Sequence, residues 1–381
     1  MRILLGADFH LGATMGWLGG QSAARREDLN RAFSRFVDFA LRPDQKIDLV
    51  LLLGDIFDTH APSDALVDLV QRELTRLALA DLPVAAIPGT HDGYGYADSV
   101  WRSGRFPSSL VLITSPGVSR TTIQAAGRPV HLYGLAFDPA RTPADPLLHM
   151  RRDETAGPGL HIGMVHGSLP ASPEWEFRRR DLAIPTAELA GSGLDLLALG
   201  HYHNFLEKWF GDTLATYPGT LEGLKYSESG ERSFVTVDLT DVGVAVERSP
   251  YPGRRIIDEI FDLDRAGQAD LGLVKRLEEL AGLDRIVRLT LTGHAPAGFD
   301  ASVIRSRAAN QFFHLDIEDQ SLTVDERLAS RLASEHTVRG LFVRKMQERL
   351  SGGPEADRPL VMAALRAGLA EFGAGEVRDE D

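Results

Sequence analysis

Asp8, His10, Asp55, His91, His166, His201 and His203 each stand just past a short apolar run, where carboxylates and imidazoles could gather around metal. Asp8-Phe9-His10 closes Ile3–Ala7, Gly54-Asp55-Ile56-Phe57-Asp58 follows Leu49–Leu53, and Gly89-Thr90-His91-Asp92 follows Val84–Ile87. His166-Gly167 ends His161–Val165, and Gly200-His201-Tyr202-His203 ends Leu194–Leu199. Mixed imidazole and carboxylate ligands suit borderline divalent ions such as Mn, Fe or Zn better than Mg. A carboxylate at a strand end can bridge two ions. Two ions roughly 3.5–4 Å apart can activate a water and clamp the entering and leaving oxygens of an in-line phosphoryl displacement. In Asp-x-His and His-x-His the middle residue is skipped, so an extended strand end would point both ligands one way.

Singly, each motif has a plainer reading. Asp-x-His is commonly a solvated turn, and Gly-Asp after an apolar strand is commonly only a turn. Gly-His-x-His is more specific, and all five motifs in this order, each after an apolar run, point to metal. His60, His131, His149, His161, His294, His314 and His336 are read as structural or surface residues.

The elements that must position these groups alternate. Arg25–Leu41 has helical spacing of Leu29, Phe33, Phe36 and Ala40 and closes at Pro43, and Ser63 can cap a second helix through Ala80. Strand–helix–strand order implies right-handed crossovers and a mostly parallel core, with ligands gathered outside the carboxyl ends of the strands. Leu110–Thr114, Val130–Gly134 and Phe234–Leu239 add further strands, enough for a large sheet or two stacked ones. The pattern changes near Asp258–Asp264. Ile286–Thr292, Ala301–Ala309 and Phe312–Ile317 read as strand, helix and strand, and the chain is then helical over Glu326–His336, Val338–Leu350 and Pro359–Phe372. The acidic end Glu376–Asp381 reads as disordered.

Cysteine is absent from the 381 residues, which excludes disulfides, thiolate metal sites and a cysteine nucleophile. No secretory signal and no apolar run of membrane-spanning length is visible, so a soluble, cytoplasmic protein with no membrane partner is expected. The net charge of −13 argues against a broad electrostatic clamp on nucleic acid. Two divalent ions would nevertheless reverse the local sign where a substrate sits.

The ordered motifs resemble the calcineurin-like metallophosphoesterase family, whose pattern is Asp-x-His, Gly-Asp-x-x-(Asp/His), Gly-Asn-His-(Asp/Glu), a later His, and Gly-His-x-His. The similarity covers roughly residues 1–250. Ala7-Asp8-Phe9-His10-Leu11-Gly12, Gly54-Asp55-Ile56-Phe57-Asp58-Thr59, and Tyr217-Pro218-Gly219-Thr220 followed by Glu222-Gly223 resemble its DNA repair nuclease branch, the bacterial SbcD-type subunits. The resemblance implies an α/β, four-layer core of two mixed sheets flanked by helices. It further implies a phosphoesterase (nuclease) domain at 1–250, a small α/β capping domain at 255–322, and a helical C-terminal region with its acidic tail at 325–381.

Carried over by position, it assigns Asp8, His10 and His203 to one metal, His166 and His201 to the other, and Asp55 to both. It makes His91 the histidine that stabilises the transition state and protonates the leaving oxygen, and puts Asp58 where an aspartate orients that histidine. For Asp58 a helix N-cap is the competing reading. The family's second-metal Asn is Thr90 here, a shorter, β-branched hydroxyl that implies a weaker second site or binding through water.

The implied function is hydrolysis of DNA phosphodiesters, exonucleolytic and in part endonucleolytic, with two divalent ions, Mn²⁺ foremost. The implied partners are DNA, an SbcC-like coiled-coil ATPase docked on the helical tail, and a second copy in a homodimer. The alternatives are a phosphodiesterase or phosphatase for a small substrate, and a non-catalytic binding subunit. Trp175, Phe177 and Arg178-Arg179-Arg180, with Arg102, Arg105, Arg151 and Arg152, are candidates for touching a DNA strand, against a plain solvated face.

Overall fold

The computed structural model describes residues 1–142, 146–170, 182–240, 243–266, 268–295, 299–323, 326–352, 360, 361, 364, 365, 367–369, 371 and 372. Trp175, Phe177, the Arg178–Arg180 run and the Glu376–Asp381 tail lie outside them. The chain forms two compact units, Met1–Arg255 and Ile256–Asp381.

The first unit is built on two six-stranded sheets. In chain order its strands are β1 (Arg2–Gly6), β2 (Leu49–Leu53), β3 (Val84–Ile87), β4 (Leu110–Leu112), β5 (Ser119–Ala125), β6 (Arg128–Gly134), β7 (Leu160–His166), β8 (Leu196–Gly200), β9 (Leu206–Phe210), β10 (Thr213–Tyr217), β11 (Ser233–Thr240) and β12 (Gly243–Pro250). One sheet runs β12-β11-β1-β2-β3-β4 and the other β5-β6-β7-β8-β10-β9. Both are mixed. β1 through β4 pair in parallel, as do β6, β7, β8 and β10, while β11, β12, β5 and β9 join antiparallel. The inner strands therefore direct their carboxyl ends to one rim in each sheet.

The apolar runs explain this stacking. β2 is buried at every position, because its two faces serve two cores. Val50 and Leu52 pack with Ala32, Phe33, Phe36 and Val37 of helix α1 (Ser22–Ala40) and with Val67, Val70, Leu74 and Leu77 of helix α2 (Asp64–Leu79). Leu49, Leu51 and Leu53 face the other way, onto Val130, Leu132, Ile162, Met164, Leu196 and Ala198 of the second sheet. A third cluster covers that sheet's outer face, where Leu147, Met150, Leu182, Ile184 and Leu189 pack on Tyr133, Val165, Leu197 and Leu199. Helices, sheet, sheet and an outer layer of short helical turns make four layers.

Four strands of this unit go beyond the sequence expectation. β12 alternates exposed and half-buried residues at a sheet edge, β9 carries Glu207 and Lys208 at another, and neither offers an apolar run. β5 exposes every second residue over most of its length, and β10 is buried but contains Thr213 and Thr216.

In the second unit Gly282–Thr292 lies between Arg255–Asp262 and Phe312–Asp319, and pairs with the latter in parallel. Leu273, Leu277 and Leu280 of helix Ala269–Leu280 and Ala301 and Ala308 of helix Ala301–Ala308 cover one face of this sheet. Helices Glu326–Ser334 and Val338–Gly352 follow. Leu332 and Val343 are buried with Leu365 and Leu369, and Phe342, Met346, Leu350 and Phe372 pack around them. The apolar stripe of this region is thus largely occupied by its own packing, apart from Val338, which is 85% exposed. Among the described residues no helix is long and apolar enough to cross a membrane.

Candidate metal centre

The carboxyl ends of β1, β2, β3, β7 and β8 bring Asp8, His10, Asp55, His91, His166, His201 and His203 into one cluster. One ligand atom from each of Asp8, His10 and His203 lies within 4.8 Å of the others, and the same holds for Asp55, His166 and His201. His10, Asp55 and His91 form a third such triad.

The strand ends are not extended, as the Asp-x-His reading had supposed. Asp8, His10, Asp55 and His201 adopt positive φ of 54°, 48°, 52° and 103°. Asp and His tolerate this left-handed region better than most residues. The kinks persist because neighbouring strand ends hold them: Asp8 N–H donates to the Gly54 carbonyl (3.1 Å) and His10 N–H to the Asp55 carbonyl (3.0 Å). Close approach also demands glycine. A Cβ on Gly54 would lie 2.5 Å from His166 Nδ1, and one on Gly200 would collide with the Leu53 carbonyl oxygen.

Three of the rings are aimed by an acceptor on the far side, the arrangement usual for metal-binding histidines. His10 Nδ1–H donates to Asp58 Oδ1 (3.0 Å), His203 Nδ1–H to Glu228 Oε1 (2.8 Å) and His166 Nδ1–H to the Leu53 carbonyl (2.8 Å). These acceptors fix the tautomers, so the Nε2 atoms turn inward. His10 Nε2 and His203 Nε2 stand 3.2 Å apart. Two lone pairs at that distance repel unless a proton or a metal ion satisfies them, and two nitrogens each about 2.1 Å from one ion stand about 3.2 Å apart at an angle of about 100°. His166 Nε2 is buried, 3.2 Å from Asp55 Oδ2 but off hydrogen-bond geometry, and has no hydrogen-bond partner among the described residues. Both observations fit a site that holds cations.

The electrostatics point the same way. Burial raises Asp8 above the ordinary carboxylate range, although His166 and His203 pull against it. Burial acts likewise on Asp55, but the charge of His166, with those of His10 and His91 behind it, holds Asp55 well below that range. Burial would depress His166, yet Asp55, Asp8 and the Leu53 carbonyl lift it to about 10. His10 is also raised, since Asp58, Asp55 and Asp8 together outweigh its burial. Without an ion the cluster gathers protons, which metal binding must displace.

Thr90 and Asp58 take specific places. Thr90 Oγ1 donates to Asp55 Oδ2 (3.3 Å), so its hydroxyl touches the carboxylate common to two triads. Asp58 serves two histidines: its carboxylate holds His10, and its main-chain carbonyl accepts from His91 Nδ1 (3.2 Å), with Oδ1 3.5 Å from the same nitrogen. It caps no helix, since α2 begins after Ser63. His91 is the open member, with 48% of its side chain exposed.

Two further residues build the site, the first of them without a sequence signal of its own. Glu228, in the Ser- and Gly-bearing loop after β10, aims His203 and accepts from Leu224 N–H (2.7 Å). Burial pushes Glu228 up, but His203, Leu224 N–H and Lys225 hold it at about 2. Asp92, fully buried beside His91, accepts from the N–H groups of Gly89 (2.7 Å), Ile56 (2.9 Å), Asp55 (3.3 Å) and Phe57 (3.3 Å) and so ties two ligand loops together. Burial and the neighbouring Asp55 raise it to about 6. Its place in Gly89-Thr90-His91-Asp92 was the one available hint.

Of the other histidines, His131 and His161 lie ring to ring at 4.7 Å on β6 and β7, and His60 stacks on Tyr96. Arg105 is engaged by Asp64 and Asp68, and Arg152 stands 3.6 Å from Glu154.

The family profile described as Calcineurin-like phosphoesterase matches residues 1–205. A protein named "Uncharacterized metallophosphoesterase YhaO", from Bacillus subtilis, is 26% identical over 58% of this chain and 52% of its own length. The DNA double-strand break repair protein Mre11 of Methanosarcina mazei is 26% identical over 68% of this chain and 39% of its own. That of Aeropyrum pernix is 29% identical over 66% and 61%. The chain thus spans about half the length of these curated relatives.

Proposed function

The chain belongs to the calcineurin-like phosphoesterase family, and from that premise we propose that it hydrolyses DNA phosphodiester bonds with two divalent metal ions, Mn²⁺ foremost. The observation that carries the reading is the pair of triads, Asp8–His10–His203 and Asp55–His166–His201, with His10 Nε2 and His203 Nε2 3.2 Å apart and His166 Nε2 buried without a hydrogen-bond partner among the described residues. Similarity to proteins named for DNA double-strand break repair supports DNA as the substrate.

In this reading Asp8, His10 and His203 would hold one ion and His166 and His201 the other, with Asp55 a ligand available to both. Such ions supply Lewis acidity and an activated water at phosphorus. Thr90 Oγ1 offers the second site a neutral oxygen in place of an amide. Asp58, Glu228 and the Leu53 carbonyl keep the three rings in the tautomer that turns Nε2 inward. His201 N–H donates to both Asp8 carboxylate oxygens, at 3.1 and 3.0 Å, and orients them. His91 stands at the open edge with Nδ1–H on the Asp58 carbonyl, and in its imidazolium form it would carry a second proton, on Nε2, to pass to the departing oxygen.

The part after residue 255 serves, in this proposal, as a capping domain followed by a helical region that docks an SbcC-like ATPase through Val338, Leu341 and Leu360, its exposed apolar side chains. Deleting 325–381 then abolishes co-purification with that ATPase and leaves hydrolysis intact. The substrate is tested by assaying the pure protein with Mn²⁺ on single-stranded, duplex and hairpin DNA beside bis-p-nitrophenyl phosphate. Chelator-sensitive cleavage of DNA is the expected result. Turnover of the small diester alone favours the small-substrate enzyme, and no turnover of either favours a binding subunit.

A further inference from the structure

Beside His91 lies an aromatic stack that no part of the metal chemistry uses. Tyr96 is half exposed, and its ring lies on His60 with centroids 3.8 Å apart and planes 12° from parallel. The two rings belong to the two loops that carry the candidate acid. His60 follows Asp58 by two positions, and Tyr96 follows His91 by five. A Cβ on Gly93 would lie 3.6 Å from Tyr96 Cε2, so the ring edge stands over the backbone two residues past His91.

The stack is braced. Val100 N–H donates to the His60 carbonyl (2.7 Å), and Asp98 Oδ1 lies 3.4 Å from His60 Nε2. Arg102 Nε–H is shared between the Tyr94 and Tyr96 carbonyls, both at 3.1 Å, and its guanidinium carbon sits 4.0 Å from the Tyr94 ring centroid. Gly95 leaves no room for a side chain, because Asp138 Oδ2 would be 2.6 Å from its Cβ. A rigid, half-exposed ring with one face packed is suited to receive a second flat ring. Arg102 thereby sets a cation beside the stack, the charge that a backbone phosphate seeks.

We infer that Tyr96, backed by His60, is a stacking platform for an unpaired nucleobase next to the phosphodiester being cut. The ring stands over the backbone two residues past His91, and stacking accepts any base. The inference rests on the DNA reading above and adds to it a preference for strand that is single at the site.

Kinetics of the full-length, Mn²⁺-loaded protein on two substrates test it: a single-stranded oligonucleotide, and an abasic deoxyribose-phosphate oligomer of equal length. Tyr96→Ala should raise KM for the oligonucleotide roughly ten- to a hundredfold with kcat nearly unchanged, while Tyr96→Phe keeps the original KM. On the abasic oligomer all three proteins should share one high KM. Tyr96→Ala with an unchanged KM on the oligonucleotide overturns the platform, and so does an equal loss on both oligomers, which would mark Tyr96 as structural. If the unaltered protein cleaves neither oligomer but turns over bis-p-nitrophenyl phosphate, the DNA reading itself fails and the platform falls with it.

Discussion

Glu228→Gln is the most informative single change, because it alters one proton-accepting edge and almost no volume. The Glu228 carboxylate receives two donors, His203 Nδ1–H at 2.8 Å and Leu224 N–H at 2.7 Å. It is 2% exposed, so water cannot replace either bond. An amide has one accepting oxygen, and its NH₂ must then face one of the two donors. Either Leu224 loses its acceptor or His203 turns to the other tautomer, which withdraws the Nε2 lone pair from the cluster. Changes to such supporting acceptors cost metal affinity about 10- to 100-fold, or about 1.4–2.7 kcal/mol. The loss should fall on the ion held by Asp8, His10 and His203. The ion at His166 and His201 should keep its affinity, since Glu228 touches neither. Titration of Mn²⁺ into metal-stripped protein, followed by calorimetry, separates the two sites. Unaltered affinity at both, or equal weakening of both, would refute the reasoning.

His91→Ala should lower kcat about 10²- to 10⁴-fold while metal content per chain stays the same; loss of bound metal would instead make His91 a ligand. Thr90→Asn should tighten the weaker of two Mn²⁺ sites in the same titration, and equal, tight binding at both sites of the unaltered protein would remove the basis for that expectation. Arg25→Ala should destabilise the first unit by about 3–5 kcal/mol in urea unfolding, because it leaves the buried Glu222 carboxylate without its cation, Arg25 Nη1 at 2.5 Å from Oε2, and, among the described residues, with only the Tyr251 hydroxyl as donor on its other oxygen. A cost under about 1 kcal/mol would show that Glu222 finds another partner.

What could be read in the sequence follows from where the physics is local. β2 and β3 were legible to the residue, because LVLLL and VAAI are continuous apolar runs bounded by polar turns. The gathering of these side chains was legible because carboxylate and imidazole just past such runs have few structural uses together. Their conformation was not: positive φ at Asp8, His10, Asp55 and His201 arises from bonds and close contacts between strands distant in sequence. Glu228 was hidden for the same reason, since it meets His203 across 25 residues of strand and loop without any periodic pattern. The edge strands β9 and β12 escaped notice because half their surface faces solvent and their residues are chosen accordingly. In the tail, the stripe Phe342, Met346 and Leu350 was visible, but not that Leu332, Leu365 and Leu369 would occupy it.

The central claim is that this cluster holds two ions that share Asp55, with His91 outside the ligand set. Anomalous diffraction from crystals grown with Mn²⁺ addresses it directly. Two peaks are predicted, one bounded by Asp8, His10 and His203 and one by His166 and His201, both in contact with Asp55. A single peak, or an ion bound by His10, Asp55 and His91, would contradict the account.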